Sequence, residues 1–562
     1  MSLLADYEQQ LARQAANPPA STLLTEVQNL FPQTHGPDET VYQEYLNQNR
    51  PHQTAALDAL RPNTKGQVII PTGTGKTRVQ VGYLVGDMFE KEQENHKGTY
   101  VIASHRLLLN KQLMDEFQDL CIKCHLPINV LYVGSAQHDD KEVYDKYFSQ
   151  GISAETFKTT FTTRGSEVKA FSDETRAANR HLIVVSTYHS FEKLNSLDAI
   201  DVCCYDEAHN TTNEDFSVQI KIVQPKIARN FFFTATRKIC ILSGHGMENE
   251  EVYGNVLYKI PPKTMVALRE IVTPRIITMM LDNDTPKGVV SDKNQHMLVK
   301  TIIEAFKKNQ EQIRLHSANP DAMGTKLLVS FVGSDELALV QESEEFREWA
   351  QQNNIRVFAF SSRHGSFSNF EEKNRDKAYE DMQALQDTDN CVFLHIDILA
   401  EGINLPSITG VVLLRHLNEI KLFQTLGRAL RLMKIDRQRL YSGELSPNSS
   451  NGFLKPYAYL ILPTHFQDMD TSSEDMKRTI QDVITTYGIP VEDFLPPEGF
   501  KTRDVKGLSN ITDSKKISRM KKDYPLLSVV EDFIIESFSQ GLPEDPHARY
   551  EALMNILSQG DD

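Results

Sequence analysis

The sequence predicts an α/β protein of two tandem domains, each a parallel sheet flanked by helices, with a helical C-terminal appendage. Three observations predict this. From Gln67 onward, short apolar runs alternate with amphipathic stretches, the rhythm of strands buried on both faces. That rhythm stops and then restarts, which separates two sets of strands. Beyond Pro463 the strand signals fade into helical periodicity. A length of 562 residues leaves room for about three or four units of roughly 150 residues each.

In chain order, residues 1–49 form a preface in which LLADYEQQLARQ has helical apolar spacing, punctuated by Pro18, Pro19 and Ser21. Residues 50–250 form the first domain, with strands at QVII, TYVIAS, HLIVVS, DVCCYD and NFFFTA. Charged and turn-forming residues displace the periodicity at about 137–180, so an inserted surface segment is expected there. Residues 251–300 are a linker or transition. The second domain, 301–465, carries KLLVSFV, IRVFAFS, CVFLHIDIL and GVVLLR. The appendage, 466–562, holds three amphipathic stretches, DMKRTIQDVITTYG, LLSVVEDFIIESFSQG and ARYEALMNILSQG. Within it, residues 501–522 hold eight Lys or Arg against two Asp, either a solvated helix face or a patch for nucleic acid or a partner.

Hydrophobic residues are 40% and charged residues 24% of the chain, which excludes global disorder and a repeat array. No stretch of about 18 uninterrupted apolar residues exists, and the acidic start lacks an export core, so no membrane span and a cytoplasmic location are expected. Six cysteines agree with a reducing compartment. With 60 basic and 76 acidic residues the net charge is −16, so nucleic-acid contact must be local rather than a general coating. Cys121-Ile122-Lys123-Cys124-His125 has the letters of a haem-attachment motif but no export context, and no second ligand pair lies at zinc spacing. Cys203, Cys204 and Trp349 read as packing residues.

The sharpest motif is QVIIPTGTGKTRVQVGYL, residues 67–84, a buried strand running into a Gly-rich turn and then a helix, the context of a phosphate-binding loop. Gly73 and Gly75 free the backbone amides of Thr72–Thr77 to curl around phosphate oxygens, and the helix N-terminus points at the same place. Lys76 would neutralise the β- and γ-phosphates and the Thr77 hydroxyl would bind Mg²⁺. Ile70 stands where the strict pattern has Gly. The second motif is DVCCYDEAH, an apolar strand ending in Asp206-Glu207-Ala208-His209. Asp206 is the candidate metal residue, and Glu207 the base that orients or deprotonates water.

These residues resemble the superfamily 2 helicases and nucleic-acid translocases. Arg50-Pro51-His52-Gln53 resembles the adenine-reading segment, VIASHRLLLNKQ (101–112) motif Ia, VVSTYHSF (184–191) the next nucleic-acid-facing motif, and FFFTATRK motif III. KLLVSFVGS (326–334) looks like motif IV, IDILAEGINLPSITGVVLLR (396–415) like motif V, and Gln424-Thr425-Leu426-Gly427-Arg428-Ala429-Leu430-Arg431 like motif VI. The likeness covers about residues 50–465. It implies two RecA-like lobes that bind ATP with Mg²⁺ between them. Gln53, Thr72, Gly73, Thr74, Gly75, Lys76, Thr77 and Gly402 would contact the nucleotide, and Thr77 and Asp206 the metal. His209, Thr234 and Thr236 would couple the site to lobe movement. Gln424 would orient water, while Arg428 and Arg431, three residues apart and so on one helix face, would reach the γ-phosphate.

Within the superfamily the motifs look most like the motors of type I and type III restriction enzymes, which implies an ATP hydrolase moving on nucleic acid, DNA favoured over RNA. An RNA helicase remains an alternative. So does a nucleotide-switched subunit of a nuclease or defence complex, with the C-terminal helical domain as a partner surface.

Overall fold

The computed structural model describes residues 36–105, 111–134, 159–240, 246–281, 292–331, 333–361, 363–396, 407–414, 417, 419–465, 479–480, 482–483, 486–487, 494–495 and 542–559. Two sheets follow one another along the chain. The first holds β1 (Lys65–Ile69), β2 (Thr99–Ser104), β3 (Ile128–Val133), β4 (Thr159–Thr162), β5 (His181–Thr187), β6 (Ile200–Tyr205), β7 (Ile227–Thr234) and β8 (Val256–Lys259). Their order is β4-β3-β5-β2-β6-β7-β1-β8, and every pairing is parallel. Every residue of β3 and of β5 is buried, which is why these strands read as continuous apolar runs.

The second sheet holds β9 (Thr273–Leu281), β10 (Lys326–Ser330), β11 (Ile355–Ser361), β12 (Gly365–Ser368), β13 (Glu371–Lys373), β14 (Asn390–His395), β15 (Gly410–Leu413), β16 (Tyr457–His465) and β17 (Phe494–Leu495). The order is β13-β12-β11-β14-β10-β15-β16-β9-β17, parallel except for the antiparallel pairs β11–β12 and β12–β13. The motif-bearing β6, β7 and β1 are neighbours inside the first sheet, so the loops at their C-terminal ends emerge side by side, and β10 lies inside the second sheet.

Seven helices matter to the site: α1 (Glu39–Asn47), α2 (Pro51–Leu60), α3 (Lys76–Gln93), α4 (Gly165–Ala177), α5 (Glu419–Ala429), α6 (Lys434–Tyr441) and α7 (Pro546–Gln559). The Asp38 carboxylate caps α1 by accepting from Thr40 N at 3.0 Å, and Tyr42 is buried against the first lobe. One apolar cluster includes Val68 and Phe231 of the first lobe, Leu268, Ile271 and Val272 of the connector, and Leu426, Leu430 and Leu460 of the second. It also takes in Leu542 and Leu553, so α7 closes the core rather than trailing from it.

Several segments differ from the sequence expectation. Of the expected insertion at 137–180, residues 137–158 lie outside the described residues, but β4 pairs with β3 and α4 follows it. Within 159–180 the charged residues lie on α4 and its flanks, a helix with one solvated face that mixes polar and apolar residues as an excursion would. The expected transition at 251–300 carries β8 of the first sheet and β9 of the second, with only Ile260–Val272 between them. Inside the expected helical appendage, Phe494–Leu495 pairs with Ile276–Ile277 of β9. Two residues are too few for a period to be read. As expected, ARYEALMNILSQG is helical, Cys121, Cys124, Cys203 and Cys204 are buried, and Trp349 packs on Phe306 and Phe346. Residues 1–35, 106–110, the Glu401–Pro406 segment with Gly402, and the basic run 501–522 lie outside the described residues. No helix among the described residues is long and apolar enough to cross a membrane.

Candidate functional site

The loop after β1 turns through Gly73 at φ +81° and Gly75 at φ +96°, both left-handed values that a side chain would strain. α3 starts at once, with Lys76 at its first position and Thr77 at its second. The Thr74 carbonyl is gripped by the N-terminal end of α2 and its cap: the Arg50 guanidinium, His52 Nε2 at 2.9 Å and Gln53 Nε2 at 3.3 Å all donate to it. Gln53 Oε1 accepts from Arg50 N at 2.9 Å, so the side chain expected to read adenine also ties α2 to the loop.

Lys76 crosses to β6 and ion-pairs with Glu207 Oε1 at 2.9 Å. Glu207 itself sits at φ +46°, unusual for a residue with a Cβ and of the kind that marks a functional turn. Burial opposes its ionisation, yet Lys76, His209 and Arg428 outweigh burial and hold the carboxyl down at about 2. Asp206 goes the other way, pushed up by burial and by the adjacent Glu207 charge. Its Oδ1 accepts from Gln80 Nε2 of α3 at 2.9 Å, and its backbone carbonyl accepts the Tyr188 hydroxyl at 2.6 Å.

His209 joins three motifs. Gln424 Nε2 of α5 lies 3.5 Å from His209 Nε2, while Nδ1 faces Thr234 Oγ1 at 3.1 Å and Glu207 Oε2 at 3.5 Å. Accepting at Nε2 leaves the proton on Nδ1, where it can be donated to the threonine. Thr234 Oγ1 in turn donates to Thr236 O at 2.9 Å and accepts from Thr236 N at 3.2 Å. Gln424, expected to orient water, thus spends its amide on His209 and acts through it.

The second lobe sits directly on the loop. A Cβ added to Gly427 would fall 2.9 Å from Thr72 Cβ, and one added to Gly73 would fall 2.9 Å from Arg431 Cγ. The glycines at 73 and 427 are therefore what allows α5 to approach this closely. Arg428 is 6% exposed. Burial, then the neighbouring Arg428 and Arg437 charges, lower the Arg431 guanidinium to about 9. An anion among these guanidiniums would offset both effects, so the cluster fits a polyphosphate. The buried Thr72 hydroxyl, without a hydrogen-bond partner among the described residues, is a further group a phosphate oxygen could satisfy. No set of three His, Cys, Asp or Glu among the described residues could hold a metal. Thr77 with Asp206 is still a fitting pair for Mg²⁺, which keeps waters and takes phosphate oxygens.

Motif reading found Lys76, Asp206, Glu207, His209, Thr234, Gln424, Arg428 and Arg431, and the fold brings them together. It missed Gln80, which holds Asp206. It also missed Glu270, Arg437 and Tyr441 near Arg50, and Lys455, whose ammonium donates to the carbonyls of Ala429 and Arg431 at 2.5 and 2.9 Å. Each is a lone residue far along the chain from its partner, so no spacing marks it.

Residues 47–239 match the family described as type III restriction enzyme, res subunit (ResIII). No curated protein matches the chain by sequence. Among solved structures, the ATP-dependent type ISP restriction-modification enzyme LlaBIII bound to DNA is similar with a TM-score of 0.57 at 14% identity, over 87% of this chain and 33% of that one. A nuclease-deletion mutant of the type ISP enzyme LlaGI, in complex with a DNA substrate mimic, gives 0.50 at 15% identity, over 90% and 37% of the two chains. Mss116p bound to ssRNA and AMP-PNP gives 0.49 at 12% identity, over 92% and 88%. The chain spans about a third of the length of the first two structures.

Proposed function

We propose that this chain is a superfamily 2 helicase/translocase of the type I and type III restriction-enzyme motor kind, which hydrolyses ATP between its lobes to drive movement on nucleic acid, DNA in preference to RNA. One observation carries the reading: α5 of the second lobe, with Gln424, Arg428 and Arg431, is seated on the phosphate loop of the first. Thr72–Thr77 bind the phosphates and Lys76 leaves Glu207 for the β- and γ-oxygens. Glu207, freed, takes a proton from the attacking water. Thr77 and Asp206 would hold Mg²⁺, which would supply charge neutralisation on the phosphate oxygens. Arg428 and Arg431 stabilise charge developing on the transferred phosphoryl, a contribution of about 10³–10⁵ in rate. Because these arginines come from the second lobe, hydrolysis requires closure, and nucleic acid lying across both lobes favours it.

The preference for DNA is supported by the DNA named with the two restriction-modification structures. The motifs facing the strand act through main-chain amides and hydroxyls, so binding is indifferent to base sequence. A cytoplasmic setting agrees with this chemistry. The test is ATPase activity across single strands, duplexes, forks and matched RNA, with Lys76→Ala as control. Stimulation by DNA above RNA is expected, and a rate unmoved by every nucleic acid contradicts the motor.

The partial coverage of the restriction-modification enzymes favours a second reading, in which the chain is the nucleotide-switched motor subunit of a larger nuclease or defence assembly docked through its C-terminal region. A Glu207→Gln form that traps ATP and retains copurifying partners, with no strand separation by the wild type, would support it.

A further inference from the structure

The phosphate loop is held by a buried ionic chain that starts at Arg50 of the adenine-reading segment and runs on to residues outside every motif. Glu270, on the connector between β8 and β9, is 4% exposed. Its Oε2 accepts from the Arg50 guanidinium at 2.5 Å, and its Oε1 accepts the hydroxyl of Tyr441, the last residue of α6 in the second lobe. The same guanidinium donates to the carbonyl of Thr74 within the loop. The Glu270 charge is also felt by Arg437, one turn earlier on α6. One carboxylate thus faces a guanidinium from each lobe. Two residues further on, Val272 N donates to Leu430 O at 2.9 Å and Ile271 bridges Arg431, which fastens the connector to the end of the arginine-bearing segment.

We propose that Glu270 is a positioning residue that sets the affinity of the phosphate loop for ATP according to the position of the second lobe. This rests on the reading of Thr72–Thr77 as the nucleotide loop. Glu270 orients Arg50, Arg50 fixes the Thr74 carbonyl, and that carbonyl sets the turn through which the loop amides face the phosphates. Tyr441 ties the grip to lobe 2: with the connector fastened beside Leu430 and Arg431, Glu270 goes with α6 when that lobe moves, its bond to Arg50 is the one that opens, and Arg50 then holds the loop less firmly. Neighbouring groups support this geometry. Burial and then the Arg50 charge keep His52 neutral at pH 7, its ring pulled down to about 4, so Nε2 can carry a proton to the same Thr74 carbonyl. Burial opposes ionisation of Glu270, but the Arg50 charge and the Tyr441 hydroxyl hold its carboxyl below the usual range.

The test compares full-length wild type, Tyr441→Phe and Glu270→Gln by steady-state ATPase and by titration with a fluorescent ATP analogue. Tyr441→Phe removes a single hydroxyl from a residue already 38% exposed, so it folds even if Glu270→Gln does not. A rise of about three- to tenfold in ATP KM and in analogue Kd, with kcat within about twofold, is expected for Tyr441→Phe, and a larger rise for Glu270→Gln. A merely structural role would lower thermal stability and leave KM and Kd unchanged. That result, in a wild type that does turn over ATP, overturns the proposal alone. A wild type that neither binds the analogue nor hydrolyses ATP overturns the nucleotide-loop reading beneath it.

Discussion

Gly427 is a point of close approach between the two lobes, and its substitution separates packing from helix propensity. Replacing it by Ala in α5 gains about 1 kcal/mol of helix propensity. The added methyl, however, would meet Thr72 Cβ at 2.9 Å, and such overpacking costs about 1–3 kcal/mol. Neither partner is the tip of a flexible side chain, so α5 must back away from the loop. Gly427→Ala should therefore cost no more than about 2 kcal/mol of stability while lowering kcat by about ten- to a hundredfold. A variant with full activity would mean that α5 does not work at this distance. The motif letters around Gly427 were legible as QxxGRxxR, but the reason for the glycine was not: it lies in Thr72, more than 350 residues earlier in the chain.

At the scale of elements, α5 must end where its arginines face the loop, and its last carbonyls need partners. Lys455 supplies two of them from a position 1% exposed, bonding Ala429 O and Arg431 O, while Val272 N takes Leu430 O. The Asp436 carboxylate in turn accepts Leu454 N and Lys455 N, each at 2.9 Å, and so fixes the lysine. Burial, then the Arg431 charge, lower the Lys455 ammonium to about 7, but a neutral amine keeps two N–H groups and still satisfies both carbonyls. Lys455→Met strips both, at about 1–3 kcal/mol for each group left unpaired. Its urea midpoint should fall accordingly, and an unshifted midpoint would show that these carbonyls find other donors. Strands such as β5 and β6 were readable because burial on both faces makes them apolar throughout. The edge strands β4, β13 and β17 and the short β12 were not, since two to four residues establish no period. Lys455 is a single residue whose partner end of α5 is defined only by the fold.

Across the whole molecule, two buried histidines set an acid limit. His52 and His181 are both lowered to about 4 by burial. His181 Nδ1 accepts from Gly98 N at 3.0 Å and its Nε2 faces Glu92 at 2.9 Å, an arrangement suited to the neutral ring. In the unfolded chain a histidine titrates near 6.5, so between pH 6.5 and 4 the unfolded state binds more protons. Stability is then complete above about 6.5 and falls as pH drops to about 4, by roughly 3 kcal/mol for each ring. Denaturant midpoints measured across that window should decline with acid, and a flat profile would mean that these rings are charged in the fold. Composition could not have shown this, because it is the fold that buries these two rings.

The same scale holds the central claim, that a site begun by Lys76 and Glu207 in one lobe is completed by arginines from the other. Single-turnover hydrolysis of bound ATP by Arg431→Ala, measured beside its affinity for nucleotide, tests it most directly. The account predicts binding within a few-fold of wild type and a hydrolysis step slower by about 10³–10⁵. Hydrolysis at the wild-type rate would contradict it.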